Sequence, residues 1–401
     1  MNTKLSFPLI PLALVCLALL PTNVCAGTST PTSELGFSKD RISIQSSAQG
    51  SQEDASKAHE ATIITFDAPD AGTGPFQGTI ANDINNGGAI VGYYADGSNV
   101  FHGFVRHRDG AITTFDVPGA GTGPGQGTFP FSLNQSGAIA GSYGDASGVV
   151  HGFLRFEDGT FTTFDAPGAV QLTLALNINP KGEIAGQYLD GSNVNHGFVR
   201  DRDGVITTFD APGAGTGSGQ GTVTSTEDGL NPAGALVGGT IDGSNVLHGF
   251  LRAPNGTFTT FDVPGAGTGP GQGTNPGGIN AAETISGTYV DGSGVNHGFV
   301  RARNGTITTF DVSGAGTGPG QGTIGGNINN QGAIDGWYID ASNLAHGFVR
   351  ARDGAITTFD APGAGTGSGQ GTFIGPINDA GAITGYDVDN NNVFHGYLRS
   401  P

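Results

Sequence analysis

Hydrophobic residues in this chain fall in short stretches separated by turn-forming dipeptides. In the first repeat, the apolar stretches cover residues 79–85, 89–95, 100–106 and 111–117. Asp96-Gly97 and Asp109-Gly110 lie between consecutive stretches. None of the stretches has the three-to-four-residue spacing of an amphipathic helix. The pattern therefore predicts four β-strands joined by tight turns.

This four-strand pattern recurs along the chain. A His-Gly-Phe/Tyr motif marks the third stretch and a Thr-Phe-Asp motif marks the fourth, at intervals of 45 to 52 residues. The motif histidines are His102, His151, His196, His248, His297, His346 and His395. The motif aspartates are Asp67, Asp116, Asp165, Asp210, Asp262, Asp311 and Asp360. Repeats of about 40–50 residues with four strands each are typical of propeller blades, so we predict an all-β, seven-bladed β-propeller.

The ends of the repeat array predict how the ring closes. The array begins with ATIITFD (61–67), a fourth strand without its first three, and it ends with VFHGYLR (393–399), a third strand without its fourth. A closed ring would join the two as the outer strands of the last blade. The alternative is an open solenoid, which would need capping repeats. We therefore assign residues 61–401 to one seven-repeat domain.

The Asp-Gly turns predict the register of the outer hairpins. A two-residue Asp-Gly turn pairs positions whose numbers have one constant sum. A turn centred on Asp109-Gly110 would place Phe104 opposite Phe115. Cross-strand aromatic pairs contribute about 0.5–1 kcal/mol each, and we expect such a pair in each repeat.

A glycine-rich stretch follows most of the Thr-Phe-Asp motifs. In the second copy it reads PGAGTGPGQGT (118–128), with glycines at every second position. Dinucleotide and phosphate loops need a different glycine spacing, and the phosphate loop also needs a lysine. We expect a structural connector between the fourth strand of one blade and the first strand of the next.

The amino-terminal segment predicts export. A lysine precedes an apolar run from about Leu5 to Leu20, and Val24-Cys25-Ala26 provides a cleavage site. Residues 1–26 are thus predicted to be a signal peptide, and the Ser/Thr/Gln-rich residues 27–60 a flexible tether. The only cysteines, Cys16 and Cys25, lie in the signal peptide. The mature protein would be secreted, extracellular or periplasmic, and would contain no disulfide.

The overall charge narrows the classes of partner. The formal net charge is −18, and only 12% of the residues are charged. Nucleic-acid binding needs a basic surface, so no nucleic-acid partner is expected. After removal of the signal peptide no apolar run is long enough to span a bilayer, and we expect a monomer.

Repeats of the form IN..G.I.G.Y.D....HGF.R..G.ITTFD resemble the bacterial extracellular repeat proteins of the HAF family. The resemblance covers residues 61–401. Glycine stands where that family's name has alanine, and Thr-Phe-Asp with the glycine stretch replaces a Leu-Gly-rich segment. The resemblance implies an exported, repetitive protein, and it implies no reaction, substrate or catalytic residue.

Several polar residues occur once in each repeat. We interpret the histidines as parts of the blade, because catalysis needs one asymmetric cluster. An asparagine after the first strand is expected to cap a turn: Asn85, Asn134, Asn179, Asn231, Asn280, Asn329 and Asn378. An aspartate starts the turn between the second and third strands: Asp96, Asp145, Asp190, Asp242, Asp291, Asp340 and Asp389. Such oxygen ligands make calcium a possible cofactor, but no metal site or other cofactor is predicted.

Strand alternation predicts which end of the ring binds a ligand. The Asp96-type turns and the glycine connectors should share one face, with the asparagine turns and the Asp109-type turns on the other. We expect the ligand-binding residues to be the seven turn aspartates together with Trp337, the only tryptophan. The predicted function is an exported, non-enzymatic binding or scaffold module for an extracellular glycan or protein. A carbohydrate-active lyase or hydrolase and a purely structural secreted protein are the alternatives.

Overall fold

The computed structural model describes residues 61–226 and 228–401, so the predicted signal peptide and tether lie outside the described residues. Their regular secondary structure consists of β-strands, and this part of the chain contains no helix that could cross a membrane. The strands are β1 (Thr62–Phe66), β2 (Gly78–Ile84), β3 (Ile90–Ala95), β4 (Phe101–Arg106), β5 (Ile112–Phe115), β6 (Gly127–Leu133), β7 (Ile139–Gly144), β8 (Val150–Arg155), β9 (Phe161–Phe164), β10 (Leu172–Ile178), β11 (Ile184–Leu189), β12 (Asn195–Arg200), β13 (Ile206–Phe209) and β14 (Gly221–Thr224). They continue as β15 (Leu236–Ile241), β16 (Leu247–Arg252), β17 (Phe258–Phe261), β18 (Gly273–Ile279), β19 (Ile285–Val290), β20 (Asn296–Arg301), β21 (Ile307–Phe310), β22 (Gly322–Ile328), β23 (Ile334–Ile339), β24 (Ala345–Arg350), β25 (Ile356–Phe359), β26 (Gly371–Ile377), β27 (Ile383–Val388) and β28 (Phe394–Ser400).

Neighbouring strands within a repeat pair in antiparallel fashion. In the first repeat β2 pairs with β3, β3 with β4 and β4 with β5. Between repeats the strands are joined by a single parallel bridge, such as Phe101 to Gly127. The first strands are almost fully buried, whereas outer strands such as β5 have exposed residues. The fold is therefore all-β, with the strands arranged in a closed, propeller-like ring.

The ring closes through the strand that the sequence predicts. β1 pairs with β28 in antiparallel register along its whole length, from Thr62 opposite Ser400 to Phe66 opposite Gly396. The backbone groups at both ends of the repeat array are thereby paired, which removes the exposed edges that an open array would have.

A ring of hydrogen bonds between asparagines also joins the repeats. The Nδ2 of each turn asparagine donates to the backbone carbonyl of the corresponding asparagine in the next repeat, at 3.0–3.3 Å. The last of these bonds runs from Asn378 back to Asn85, so the ring is continuous. The Oδ1 of Asn85 accepts a hydrogen bond from the N–H of Ala89 within its own turn. Each asparagine thus caps its turn, as predicted, and also links two repeats while buried.

The core between repeats is built from aromatic rings and arginines. Phe115 on β5 meets Phe153 of the next repeat edge-on, with ring centroids 6.5 Å apart. The guanidinium of Arg155 lies 4.8 Å from the centre of the same Phe115 ring. Every repeat boundary has these contacts, at 6.0–6.5 Å for the ring pair and 4.8–5.1 Å for the arginine, with Tyr397 replacing phenylalanine at the last boundary. Cation–π contacts of this kind contribute about 0.5–2 kcal/mol.

The predicted register of the outer hairpins is wrong by one residue. Phe115 lies opposite Gly103, and Phe104 lies opposite Thr114. The reason is the turn: only Gly110 has a positive φ (92°), whereas a two-residue type I′ turn needs positive φ at Asp109 as well. A longer loop shifts the pairing, so the phenylalanines meet across repeat boundaries instead of within one hairpin.

Two glycines of each glycine-rich connector lie too close to neighbouring atoms to carry a side chain. Gly127 has a φ of 122°, and a Cβ there would collide with the carbonyl oxygen of Phe101 in the preceding repeat. A Cβ on Gly121 would overlap the side chain of Gln126, whose Oε1 accepts a hydrogen bond from the N–H of Gly123 at 2.9 Å. The connector is thus folded around its own glutamine, which explains the repeated Gly-x-Gly-x-x-Gln-Gly pattern.

Candidate ligand-binding face

The glycine connectors lie against the Asp96-type turns, as strand alternation predicts. The N–H of Gly72 donates to the carbonyl of Ala95 at 2.8 Å, and Gln77 Nε2 donates to Asn99 Oδ1 at 3.1 Å. Equivalent backbone bonds join the other connectors to the ends of the second strands. We call the surface formed by these connectors and the seven turn aspartates the connector face.

Each turn aspartate organises its own turn. Oδ1 of Asp96 accepts hydrogen bonds from the N–H groups of Ser98 and Val100, and all seven aspartates accept the same pair at 2.7–2.9 Å. The donor at the position of Val100 holds the pKa of Asp190 and Asp242 below its usual range. The other carboxylate oxygen of each turn aspartate points toward the motif histidine.

Every motif histidine lies between two carboxylates. Nδ1 of His102 is 3.0 Å from Asp116, and Nε2 is 3.7 Å from Asp96. The seven sites have Nδ1 distances of 2.7–3.0 Å and Nε2 distances of 3.5–3.8 Å. At the seventh site the Nδ1 partner of His395 is Asp67, which follows the closing strand β1. The connector face therefore carries seven copies of an Asp–His–Asp arrangement.

A tyrosine completes five of these sites. Tyr94 lies directly opposite His102 in the register, and its ring stacks on the imidazole. The five ring pairs are 4.8–5.1 Å apart with interplanar angles of 20–31°. Burial, helped by the nearby Asp116 carboxylate, raises the pKa of Tyr94 to about 12, so the phenol remains neutral.

Two repeats lack this tyrosine, and their histidines are more exposed. Thr240 faces His248 in the fourth repeat, and Asp387 faces His395 in the seventh. These histidine side chains are 33% and 30% exposed, against 19–24% where a tyrosine covers the ring. The absence of the tyrosine ring thus leaves the histidine side chain more exposed to solvent.

Asp387 is a buried carboxyl with an unusual environment. Among the described residues neither of its oxygens has a hydrogen-bond partner. Burial raises its pKa to about 7; the facing His395 opposes this shift, whereas Asp67 and Asp389 add to it. Burial of His395 is outweighed by its hydrogen bond to Asp67 and by the surrounding carboxylates, so its pKa is raised.

Trp337 lies away from the histidine sites. It is on β23, where it is partly buried and packs against an apolar cluster, and its indole is 6.4 Å from the ring of Phe373 in the next repeat. Residues 61–226 and 228–401 contain no group of three or more His, Cys, Asp or Glu side chains placed to hold a metal ion. The structure therefore brings the turn aspartates together with histidines, but not with the tryptophan.

Sequence reasoning missed the pairing of each histidine with the Thr-Phe-Asp aspartate. A signal was present, because the two are 14 residues apart in every hairpin, from His102 and Asp116 to His346 and Asp360. It also missed the stacked tyrosine, whose absence distinguishes the fourth and seventh repeats.

Comparisons with known proteins place the fold among β-propellers. No protein-family model and no curated protein matches this chain. Among solved structures, streptogramin B lyase matches with a TM-score of 0.55 and 14% identity, over 85% of this chain and 98% of that chain. The BP39L lectin from Burkholderia pseudomallei matches with a TM-score of 0.52 and 11% identity, over 80% of this chain and 96% of that chain. At these identities the likeness shows the fold alone, and that fold is propeller-like.

Proposed function

We propose that this chain is a seven-bladed β-propeller, with four strands in each blade, that acts as an exported, non-enzymatic binding or scaffold module. The pairing of β2 through β5 in one repeat supports the four-stranded blade. The motif intervals and the ring of seven asparagines support the number of blades. The relation to the HAF-type extracellular repeats is part of the same proposal.

The observation that carries the binding function is the sevenfold repetition of the Asp–His–Asp arrangement on one face. Identical sites around a ring can engage a repetitive ligand at several points, which raises avidity without a strong single site. Both imidazole nitrogens of each histidine face carboxylates, so the histidine is poorly placed to accept a proton from a separate nucleophile. The arrangement thus favours binding over catalysis.

A glycan fits the chemistry of this face best. Carboxylate oxygens accept hydrogen bonds from sugar hydroxyls, and the −18 formal charge disfavours anionic ligands. The turn aspartates could also recruit calcium at the rim. The connector face would therefore bind a neutral, hydroxyl-rich polymer outside the cell.

A glycan array tests this function. Binding should be retained when Asp109, Asp203 and Asp353 are changed to Asn, and lost when Asp96, Asp190 and Asp291 are changed to Asn. Both variants remove three charges. Asn keeps the oxygen that accepts the turn hydrogen bonds at five of the six positions, and at Asp203 the turn acceptor is the unchanged Asp201. Repeating the array with calcium and with chelator tests the cation. Binding that survives the Asp96 set and disappears with the Asp109 set would refute the assignment of the face.

Export is the second part of the proposal. The apolar run after Lys4 and the Val24-Cys25-Ala26 site support cleavage after Ala26. The intact mass of protein recovered outside the cytoplasm should correspond to a chain that starts at Gly27 and lacks both cysteines. A mass that includes residues 1–26 would contradict the cleavage.

A further inference from the structure

The five tyrosine-containing sites show what the space beside each motif histidine is shaped to hold. In the fifth repeat the Tyr289 ring lies 4.8 Å from the His297 imidazole, at an angle of 20°. The ring edge also lies near the connector that precedes the repeat, where a Cβ on Gly265 would be 3.8 Å from Tyr289. The phenol group has a hydrogen bond with Thr309 on the outer strand. The space thus accepts a flat ring with one hydroxyl.

The fourth repeat has the same walls without the ring. Thr240 replaces the tyrosine, and a cavity of about 450 Å³ is found there. Pro212 and Gly213 form one side, His248 and Asp262 another, and Thr240 and Thr260 complete it. A Cβ on Gly213 would meet nothing within 4 Å, because no tyrosine reaches this connector. The volume lies within the range of about 300–1,000 Å³ that is usual for small-molecule sites.

The polar partners of the missing phenol remain in the cavity. Thr260 is the counterpart of Thr309, which has a hydrogen bond with Tyr289 in the fifth repeat. The hydroxyl of Thr240 is buried, and no described residue provides it with a hydrogen-bond partner. The imidazole of His248 has lost its stacking partner and is 33% exposed. The exposed imidazole of His248 and the Thr260 side chain therefore border one open space, whereas the Thr240 hydroxyl is closed to solvent.

We propose that the fourth-repeat cavity binds a neutral phenolic ring, which stacks on His248 and forms a hydrogen bond with Thr260. The inference goes beyond the proposed function, because it assigns one of the seven sites a ligand class other than the glycan. Asp242 and Asp262 lie on either side of His248 at 3.5 and 2.9 Å. Their negative charge favours the phenol over the phenolate, as nearby carboxylates do for the five stacked tyrosines.

The experiment uses p-cresol, which reproduces the tyrosine side chain, with the full-length protein lacking only residues 1–26. Calorimetric titration should show saturable binding with a dissociation constant of about 1 mM or tighter, as expected for a ligand of this size. Thr240→Tyr fills the cavity with the protein's own phenol ring and should weaken p-cresol binding at least tenfold. Tyr289→Thr opens a second cavity of the same design and should add one binding site per chain.

The comparison of variants keeps the test decisive. The seventh repeat also lacks the tyrosine, but there the Asp387 carboxyl lies where the apolar ring would stack. The difference in p-cresol binding between wild type and Thr240→Tyr therefore reports on the fourth-repeat cavity. Equal p-cresol binding by wild type and Thr240→Tyr would overturn the inference, as would no saturable binding by wild type. If Tyr289→Thr does not fold, the comparison with Thr240→Tyr still decides.

The outcome can be separated from that of the proposed function. Thr240→Tyr leaves all seven turn aspartates in place, so glycan binding by the connector face should persist in this variant. If wild type binds the glycan but not p-cresol, the phenol inference is wrong and the assignment of the connector face stands. Phenol binding without any glycan binding would show that the pocket is real and the wider assignment wrong.

Discussion

At the residue scale, Asp387 is the side chain that departs most from its counterparts. In five repeats the same position is a tyrosine that stacks on the motif histidine, whereas Asp387 places a buried carboxyl there with no hydrogen-bond partner among the described residues. An unpaired buried carboxylate is costly, and the group responds by holding its proton. Its pKa is about 7 in the folded protein and near 3.8 when exposed.

This shift predicts how stability depends on pH. Between about pH 4 and pH 7 the folded state holds a proton on Asp387 that the unfolded chain has lost, so the free energy of unfolding falls as pH rises. The raised pKa of His395 acts in the same direction above its ordinary value of 6.5. Asp387→Asn should therefore be more stable than wild type at pH 8, by no more than about 4 kcal/mol, and similar to it at pH 4. Denaturant unfolding across this range measures the difference.

The neighbouring Asp389 provides the control with the opposite sign. Burial opposes its ionisation, but the N–H groups of Val393 and Asn391 lower its pKa. Its contribution to stability is present above its unfolded pKa and is lost as pH falls below about 4. Asp389→Asn should therefore be less stable than wild type above about pH 4 and similar to it at lower pH. A rise in stability at pH 8 for both variants would show that general charge repulsion, not Asp387, is responsible.

At the scale of the element, one register determines which side chains meet. The outer hairpin has a loop longer than the Asp-Gly pair suggests, and Gly103 rather than Phe104 lies opposite Phe115. The same register sets His102 opposite Asp116, whose carboxylate is 3.0 Å from Nδ1. A one-residue slip exchanges the two faces of a strand, so the predicted register concealed this pair. The strands were predictable from their apolar pattern. The register was not, because Asp-Gly occurs both in two-residue turns and in longer loops, and the two give different pairings.

The connectors give a prediction at the same scale. Gly127 combines a φ of 122° with a close approach to the Phe101 carbonyl, so Gly127→Ala should destabilise the protein by more than about 2 kcal/mol. Gly97, in the exposed turn after Asp96, has no positive φ, and a Cβ there would meet no atom within 4 Å. Gly97→Ala should stay within about 0.5 kcal/mol of wild type. Chemical denaturation of both variants provides the comparison, and equal midpoints would mean that the connector tolerates a side chain.

At the scale of the whole molecule, two of the features that link the last repeat to the first differ in how well the sequence predicts them. One is the pairing of β1 with β28, and the other is the hydrogen bond from Asn378 to the carbonyl of Asn85 at 3.1 Å. The first could be predicted, because the repeat array begins and ends within a unit. The second could not be predicted, because the sequence around an asparagine that only caps its turn is the same as that around one that also bonds to the next repeat. Only the distance between neighbouring turns decides whether the second bond forms.

Closure by β1 predicts the effect of removing it. Deleting residues 61–67 removes five paired residues from the edge of β28, the Phe66 ring that contacts Phe104 and Arg106, and the Asp67 partner of His395. The unpaired edge of β28 should then promote association. We expect a lower melting temperature, loss of a single cooperative transition, and aggregation in light scattering. A synthetic ATIITFD peptide added in excess should restore part of the melting temperature by occupying the vacant edge, whereas a peptide of the same composition in scrambled order should not. A deletion variant that stays monomeric with the wild-type melting temperature would show that the seven repeats hold together without this strand.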